Sequence, residues 1–189
     1  MTLIKPQYYR WMALGIVVVL GVLFLKKKGY MAKIIHFVKQ LPAKGEYETR
    51  NLAKVDKIII HHSASDIGKF NRFDFARWHI DPKGRLNAPR IAYHFVIEPD
   101  GQTYQTNELV SKSWHTKGAN TTGIGIVLNG NFEHDQPTAA QIQALSTLIL
   151  HLNKTLGRKL SVFGHKEMQG NSTVCPGKNL DLDRFKNLA

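Results

Sequence analysis

Cysteine is nearly absent from this chain: Cys175 is the only one in 189 residues. No internal disulfide is possible, so the fold cannot rest on covalent staples, and Cys175 must be a buried thiol, a nucleophile or a metal ligand. Neither CxxC nor HExxH occurs, so no motif spacing by itself identifies a metal or redox site. Acidic residues are missing from positions 1–44, which carry eight basic ones and therefore most of the formal charge of +12. The remaining chain holds 18 basic against 14 acidic residues, a mild excess without the concentrated basic stripe of a nucleic-acid binder, so no nucleic-acid partner is expected. There is no internal repeat and no low-complexity tract. What is present is an ordinary globular mixture, 43% apolar and 21% charged, long enough for one domain with a real core plus an appendage.

The appendage is N-terminal. Residues 11–25, "WMALGIVVVLGVLFL", form an uninterrupted apolar run between Arg10 and the Lys26, Lys27, Lys28 triplet. As a helix it spans roughly 22 Å, short of a ~30 Å hydrocarbon core unless Tyr8, Tyr9 and Trp11 sit in the interface and the lysines snorkel. Apolar residues cover every face, which disfavours a surface-packed helix. The following "KKKGYM" offers no cleavage site, so residues 1–30 are read as an uncleaved membrane anchor and 31–50, with Gly29 just before and Pro42 and Gly45 within, as a linker. The excess of lysine after the run favours a cytoplasmic domain.

From residue 51 onward the pattern is α/β: a central mixed sheet flanked by helices. "VDKIIIHHS" (55–63) reads as a buried strand whose C-terminal end reaches a site. "RIAYHFVIEPDGQTYQT" (90–106) reads as two strands about a Pro-Asp-Gly turn. "GIGIVLNGNF" (123–132) is a further apolar strand whose glycines allow close backbone approach. Thr138 and Gln141 form a capping box for a helix with Ile142, Leu145, Ile149, Leu152 and Leu156 at helical spacing and Gly157 as its stop. "KLSVFGH" (159–165) is the last strand, and "LDLDRFKNL" (180–188) a closing helix.

Nine histidines are present, and those at strand ends carry the information: His61 and His62 after "KIII", and His165 after "SVFG". Strand ends are where an α/β sheet presents its chemistry. His61 and His62 point to opposite faces, so one of them belongs to the cleft. With Cys175, ten positions after His165, they offer a nitrogen and sulfur donor set that suits zinc; three protein ligands leave a fourth position open, as catalytic sites do. Against this stands a buried Cys175 among ordinary hydrogen-bonded histidines. His36, His134 and His151 are read as incidental, and His79 as tying a helix end to a loop.

The segments "IIIHHSAS", "IAYHFVIEPDG", "WHTKGAN", "GIGIVLNGNF", "PTAAQIQAL", "GHKEM" and "NSTVCPGK" stand in the order found in zinc-dependent N-acetylmuramoyl-L-alanine amidases of the type 2 family. That family shares its fold with peptidoglycan recognition proteins and phage lytic amidases. The resemblance covers about residues 50–188, so the domain boundary is drawn at 51–189. It implies one zinc ion per chain held by His61, His165 and Cys175, with Tyr93 beside the reacting water and Thr173 where some phage relatives carry lysine. It places Trp114, His115 and Asn120 beside the substrate groove, and by strand parity His94 points away from the cleft. The reaction implied is hydrolysis, by a zinc-activated water, of the amide joining N-acetylmuramic acid to L-alanine of the stem peptide.

Two departures stand out. Some amidases of this fold carry a glutamate where this chain has Val127, which removes a carboxylate base there. The stretch from His165 to Cys175 is a couple of residues longer than in many relatives. The competing reading is a non-catalytic peptidoglycan-binding module; such members characteristically lose the cysteine ligand, which Cys175 argues against. The expected partners are peptidoglycan and, through the N-terminal helix, a membrane; the chain is expected to act as a monomer. A wall substrate asks for an extracytoplasmic domain against the lysine bias, which a signal-arrest anchor, or a start at Met31, reconciles.

Overall fold

The computed structural model describes residues 33–188. The apolar run 11–25, the anchor read over 1–30 and Met31 lie outside the described residues. Among those described, no helix is long and apolar enough to cross a membrane.

Among the described residues six strands form one mixed sheet: β1 (Ile34–His36), β2 (Lys57–His62), β3 (Phe95–Ile97), β4 (Thr103–Gln105), β5 (Gly123–Leu128) and β6 (Ser161–Gly164). Their spatial order is β1-β4-β3-β5-β2-β6. Only the β3–β4 hairpin is antiparallel; the other four pairings are parallel. The two central strands are covered on both faces, which is why "IIIHH" and "GIGIVL" read as continuous apolar runs and not as alternation.

Side-chain parity divides the sheet's two faces. Ile58, Ile60, Ile124, Ile126 and Leu128 point toward α2 (Ala139–Leu156), whose Leu145, Leu148, Ile149 and Leu152 complete the main core. That helix starts as its sequence asks: the Gln141 amide donates to Thr138 Oγ1 at 3.0 Å and the Thr138 amide to Gln141 Oε1 at 3.1 Å. On the opposite face Val96 and Val127 pack with Phe75 and Ala76 of α1 (Arg72–Ile80). Val127 is fully buried there, so its place is packing.

Three sequence expectations change in the structure. The segment read as a linker over 31–50 belongs to the folded body from Ile34 onward: β1 pairs in parallel with β4, and Val38, Leu41 and Tyr47 are buried. Arg72 fastens this edge, its guanidinium lying 4.6 Å from the Phe37 ring centroid and 3.7 Å from that of Tyr104. The strand expected from residue 90 begins its regular ladder only at Phe95, because the His94 ring takes the Gly125 amide (Nδ1, 3.0 Å) in place of a backbone partner. The closing helix is a single turn, α3 (Asp183–Lys186), entered through an Asp181 carboxylate that accepts the Asp183 amide, with Phe185 fully buried.

Candidate metal centre

Sheet register brings the site together. β2 and β6 run parallel with Ile60 opposite Gly164, so His61 and His165 are the next residues out at the C-terminal ends of adjacent strands. Their rings lie 4.7 Å apart between centroids. A 3-10 turn, His165–Glu167, carries the second histidine and is closed by the Gly164 amide donating to Glu167 Oε2 at 2.7 Å. Cys175 arrives from the far end of the next loop, anchored where the Lys166 amide donates to the Cys175 carbonyl at 2.8 Å. Gly177 makes that return possible: its φ of +98° favours glycine, and a Cβ there would sit 2.4 Å from the Phe132 carbonyl carbon.

His61, His165 and Cys175 each offer one donor atom, and these atoms all lie within 4.8 Å of one another. His61 Nδ1 is 3.7 Å from Cys175 Sγ. A tetrahedral zinc with ordinary Zn–N and Zn–S bonds separates such a pair by about 3.6 Å, so the donor set fits the ion without rearrangement of that pair. The electrostatics agree. Burial, helped by the neighbouring His115 and His165, holds His61 well below the usual imidazole range, and burial lowers His165 too, so both lone pairs are free of protons near neutrality. Burial pushes the Cys175 thiol up to about 12, with the His62 amide pulling the other way, so metal binding must displace a proton from sulfur. His62 itself turns to the opposite face, where Nδ1 accepts the Phe132 amide at 3.1 Å.

A support beneath His61 fixes which nitrogen it presents. His115 Nε2 lies 3.2 Å from the Gly123 carbonyl, which can only accept, so that nitrogen carries the proton and Nδ1 is an acceptor. His61 Nε2, 3.3 Å from His115 Nδ1 and 3.3 Å from Thr116 Oγ1, therefore donates, which leaves Nδ1 bare toward Cys175. The His115 ring fits because Gly125 has no side chain: a Cβ there would come within 2.5 Å of His115 Cγ.

The centre opens into a cleft of about 840 Å3. Tyr93, Trp114, His115, His165 and Thr173 line it. Tyr93 lies with its ring 5.1 Å from that of His61, and burial raises its hydroxyl, so it is a donor and not a base. Thr173 Oγ1 accepts the Cys175 amide at 3.2 Å and keeps its own proton to give. Of the residues expected at the substrate, Trp114 and His115 line the cleft and Asn120 lies apart from it. His115 is on the cleft floor with both ring nitrogens engaged by protein groups. Asn120 does not line the cleft; its side chain accepts the Thr116 amide at 2.8 Å and its carbonyl takes the Arg50 guanidinium, so it shapes the loop. His94 is fully buried, its ring 5.6 Å from that of His115 and its Nε2 3.0 Å from the Ser111 carbonyl, and it does not line the cleft; His79 Nδ1 accepts the Ala92 amide at 3.1 Å.

Sequence reasoning passed over Trp78 and Arg85. Both line the cleft, Trp78 nearly half exposed and facing the same space as Trp114. Trp78 lies near the end of α1, a helix whose apolar residues form no clean stripe, and Arg85 lies in the loop after it.

A family model described as N-acetylmuramoyl-L-alanine amidase matches residues 51–178. The chain belongs to that family. The amidase family's reach is visible in its relatives: the chain is 34% identical over 101 residues to a peptidoglycan-recognition protein of Drosophila melanogaster, 51% of this chain and 54% of that one. It is 31% identical over 108 residues to an endolysin of Klebsiella phage KP32, covering 52% of this chain and 67% of the phage protein. Among solved structures, the endolysin amidase LysCS from Clostridium intestinale superposes with a TM-score of 0.70 at 23% identity, over 84% of this chain and 96% of that one, which shows a shared fold. The chain spans about half the length of that Drosophila recognition protein and of its counterpart in Drosophila simulans.

Proposed function

We propose that this amidase-family domain hydrolyses the amide between N-acetylmuramic acid and the L-alanine of the stem peptide. The observation that carries the reading is the complete donor set of His61, His165 and Cys175 beside a cleft that His165 and Tyr93 both line. Zinc bound by those three residues supplies Lewis acidity toward the scissile carbonyl and lowers the pKa of water toward ~7.

The chain's own groups do the rest. Tyr93, kept protonated by burial, donates toward the oxygen on which negative charge develops. Thr173 adds a second donor, its oxygen already held by the Cys175 amide. One such donor is typically worth ~2.7–4 kcal/mol in the transition state. Trp78 and Trp114 offer flat apolar faces suited to a sugar ring or a peptide methyl, and Arg85 and Lys117, both exposed in the cleft, offer positive charge to stem-peptide carboxylates.

The test is elemental analysis of the purified protein together with release of stem peptide from muropeptides, beside a Cys175→Ser variant. One zinc per chain and cleavage lost in the variant support the reading. A second reading, peptidoglycan binding without cleavage, is favoured by the matches to recognition proteins; an intact protein that binds peptidoglycan yet holds no zinc and releases no peptide would establish it. The apolar run 11–25 would tether the domain to a membrane facing the wall. Cell fractionation checks this, and a full-length protein recovered only in the soluble fraction would sink the tether.

A further inference from the structure

His165, unlike His61, stands at the lip of the cleft, only partly buried, on a turn that opens a stretch of exposed and half-exposed positions, Lys166–Val174. A ligand so placed needs something to hold its ring. Its one side-chain partner among the described residues is Asn171, whose Oδ1 lies 3.1 Å from His165 Nε2.

The orientation of that amide is fixed by its other end. Asn171 Nδ2 is 3.1 Å from the Lys117 carbonyl, 3.2 Å from that of Met168 and 3.2 Å from that of Gln169. All three are acceptors only, so the donor end of the amide must face them and the oxygen must face the histidine. An oxygen there accepts, which obliges His165 Nε2 to carry the ring proton and leaves Nδ1 with the lone pair. The Lys117 carbonyl belongs to the same loop as His115 and Thr116, the groups that impose the matching state on His61. Both histidines are thus held with Nε2 protonated, from two loops that meet at Asn171.

We propose that Asn171 is a positioning residue that locks His165 in the Nε2–H tautomer before any metal arrives, so that Nδ1 is presented to the ion. The inference rests on the zinc reading of the centre. It acts through acceptance of one proton from His165 Nε2; an aspartate keeps that acceptor, while its second oxygen faces the Lys117, Met168 and Gln169 carbonyls without a donor. Outer partners of this kind typically change metal affinity by roughly 10–100-fold.

The experiment compares the wild-type protein with Asn171→Ala and Asn171→Asp in two measurements. Zinc affinity is read by competition with a chromogenic chelator, and the His165 tautomer by ring 15N chemical shifts in the metal-free protein. The expected result is a loss of roughly 10–100-fold in affinity for N171A with a mixed tautomer, and Nε2–H retained for N171D, whose affinity falls less than that of N171A. Unchanged tautomer in N171A, or the same mixed tautomer in N171D as in N171A, would overturn the proposal, the latter because it assigns Asn171 to clamping the loop through its amide nitrogen. If the wild type binds no zinc, the zinc reading fails, while the metal-free shifts still judge Asn171.

Discussion

Gly125→Ala adds one methyl group to the centre of β5, and its consequence reaches the metal site through His115. The new Cβ would sit 2.5 Å from His115 Cγ, 2.8 Å from Nδ1 and 2.9 Å from Cβ, all closer than real contacts allow. His115 has little room to yield: it is buried, and its nitrogens face Gly123, Thr116 and His61. Overpacking of this kind costs about 1–3 kcal/mol. For a domain of this size that corresponds to a fall in Tm of roughly 2–12 °C. The sharper effect is on the metal. A displaced His115 no longer receives the His61 Nε2 proton, so His61 is free to turn or change tautomer, and zinc affinity falls by roughly 10–100-fold. The assay is thermal unfolding with and without excess zinc, joined to chelator competition, on G125A, on His115→Ala and on the double variant. In the double variant the methyl group has space, so the stability losses should not add. A G125A protein with unchanged Tm and unchanged zinc affinity would refute the view that His115 supports His61.

Tyr93→Phe should lower kcat by roughly 10²–10³-fold while zinc content and affinity stay at wild-type values, since the hydroxyl is a donor beside the centre and not a ligand; loss of zinc would show that it supports the metal instead. Stability should fall with acid. Burial holds His79 at about 4, below its ordinary value near 6.5, so between those pH values the unfolded chain binds a proton that the folded chain refuses. The stability in question is complete above pH 6.5 and is lost as pH falls toward 4, about 3 kcal/mol for this one residue. Urea midpoints at pH 7 and 4.5 measure it, and His79→Asn, which keeps an acceptor for the Ala92 amide, should flatten the dependence; an unaltered slope would exclude His79 as a source. Cys175→Ser should lose the rise in Tm that added zinc gives the wild type, a gain of about 2.7 kcal/mol at a hundredfold excess over Kd.

The two central strands, the β3–β4 hairpin and the capped helix α2 are readable from local pattern, because each has an unambiguous signal within a dozen residues. The candidate ligands are equally readable, since His61 and His165 end apolar runs and Cys175 has no competitor. β1 is not. Three residues in a stretch containing proline and glycine carry no periodicity of their own, and the strand exists only because β4 offers it an edge. Asn120 lies off the cleft, where sequence reasoning did not put it, for a related reason: an arginine some 70 residues away holds its carbonyl and so decides which way its loop turns.

From the residues alone come the α/β class, the nitrogen and sulfur donor set and the resemblance that joins them, because composition, period and residue type are properties of the chain itself. The tertiary structure decides what those donors can do. Pairing Ile60 with Gly164 sets the two histidines side by side, burial keeps their lone pairs free of protons, and His115, Thr116 and Asn171, drawn from two separate loops, determine which nitrogen each presents. Orientation of a ring by partners distant in sequence is a long-range property, and no local pattern encodes it.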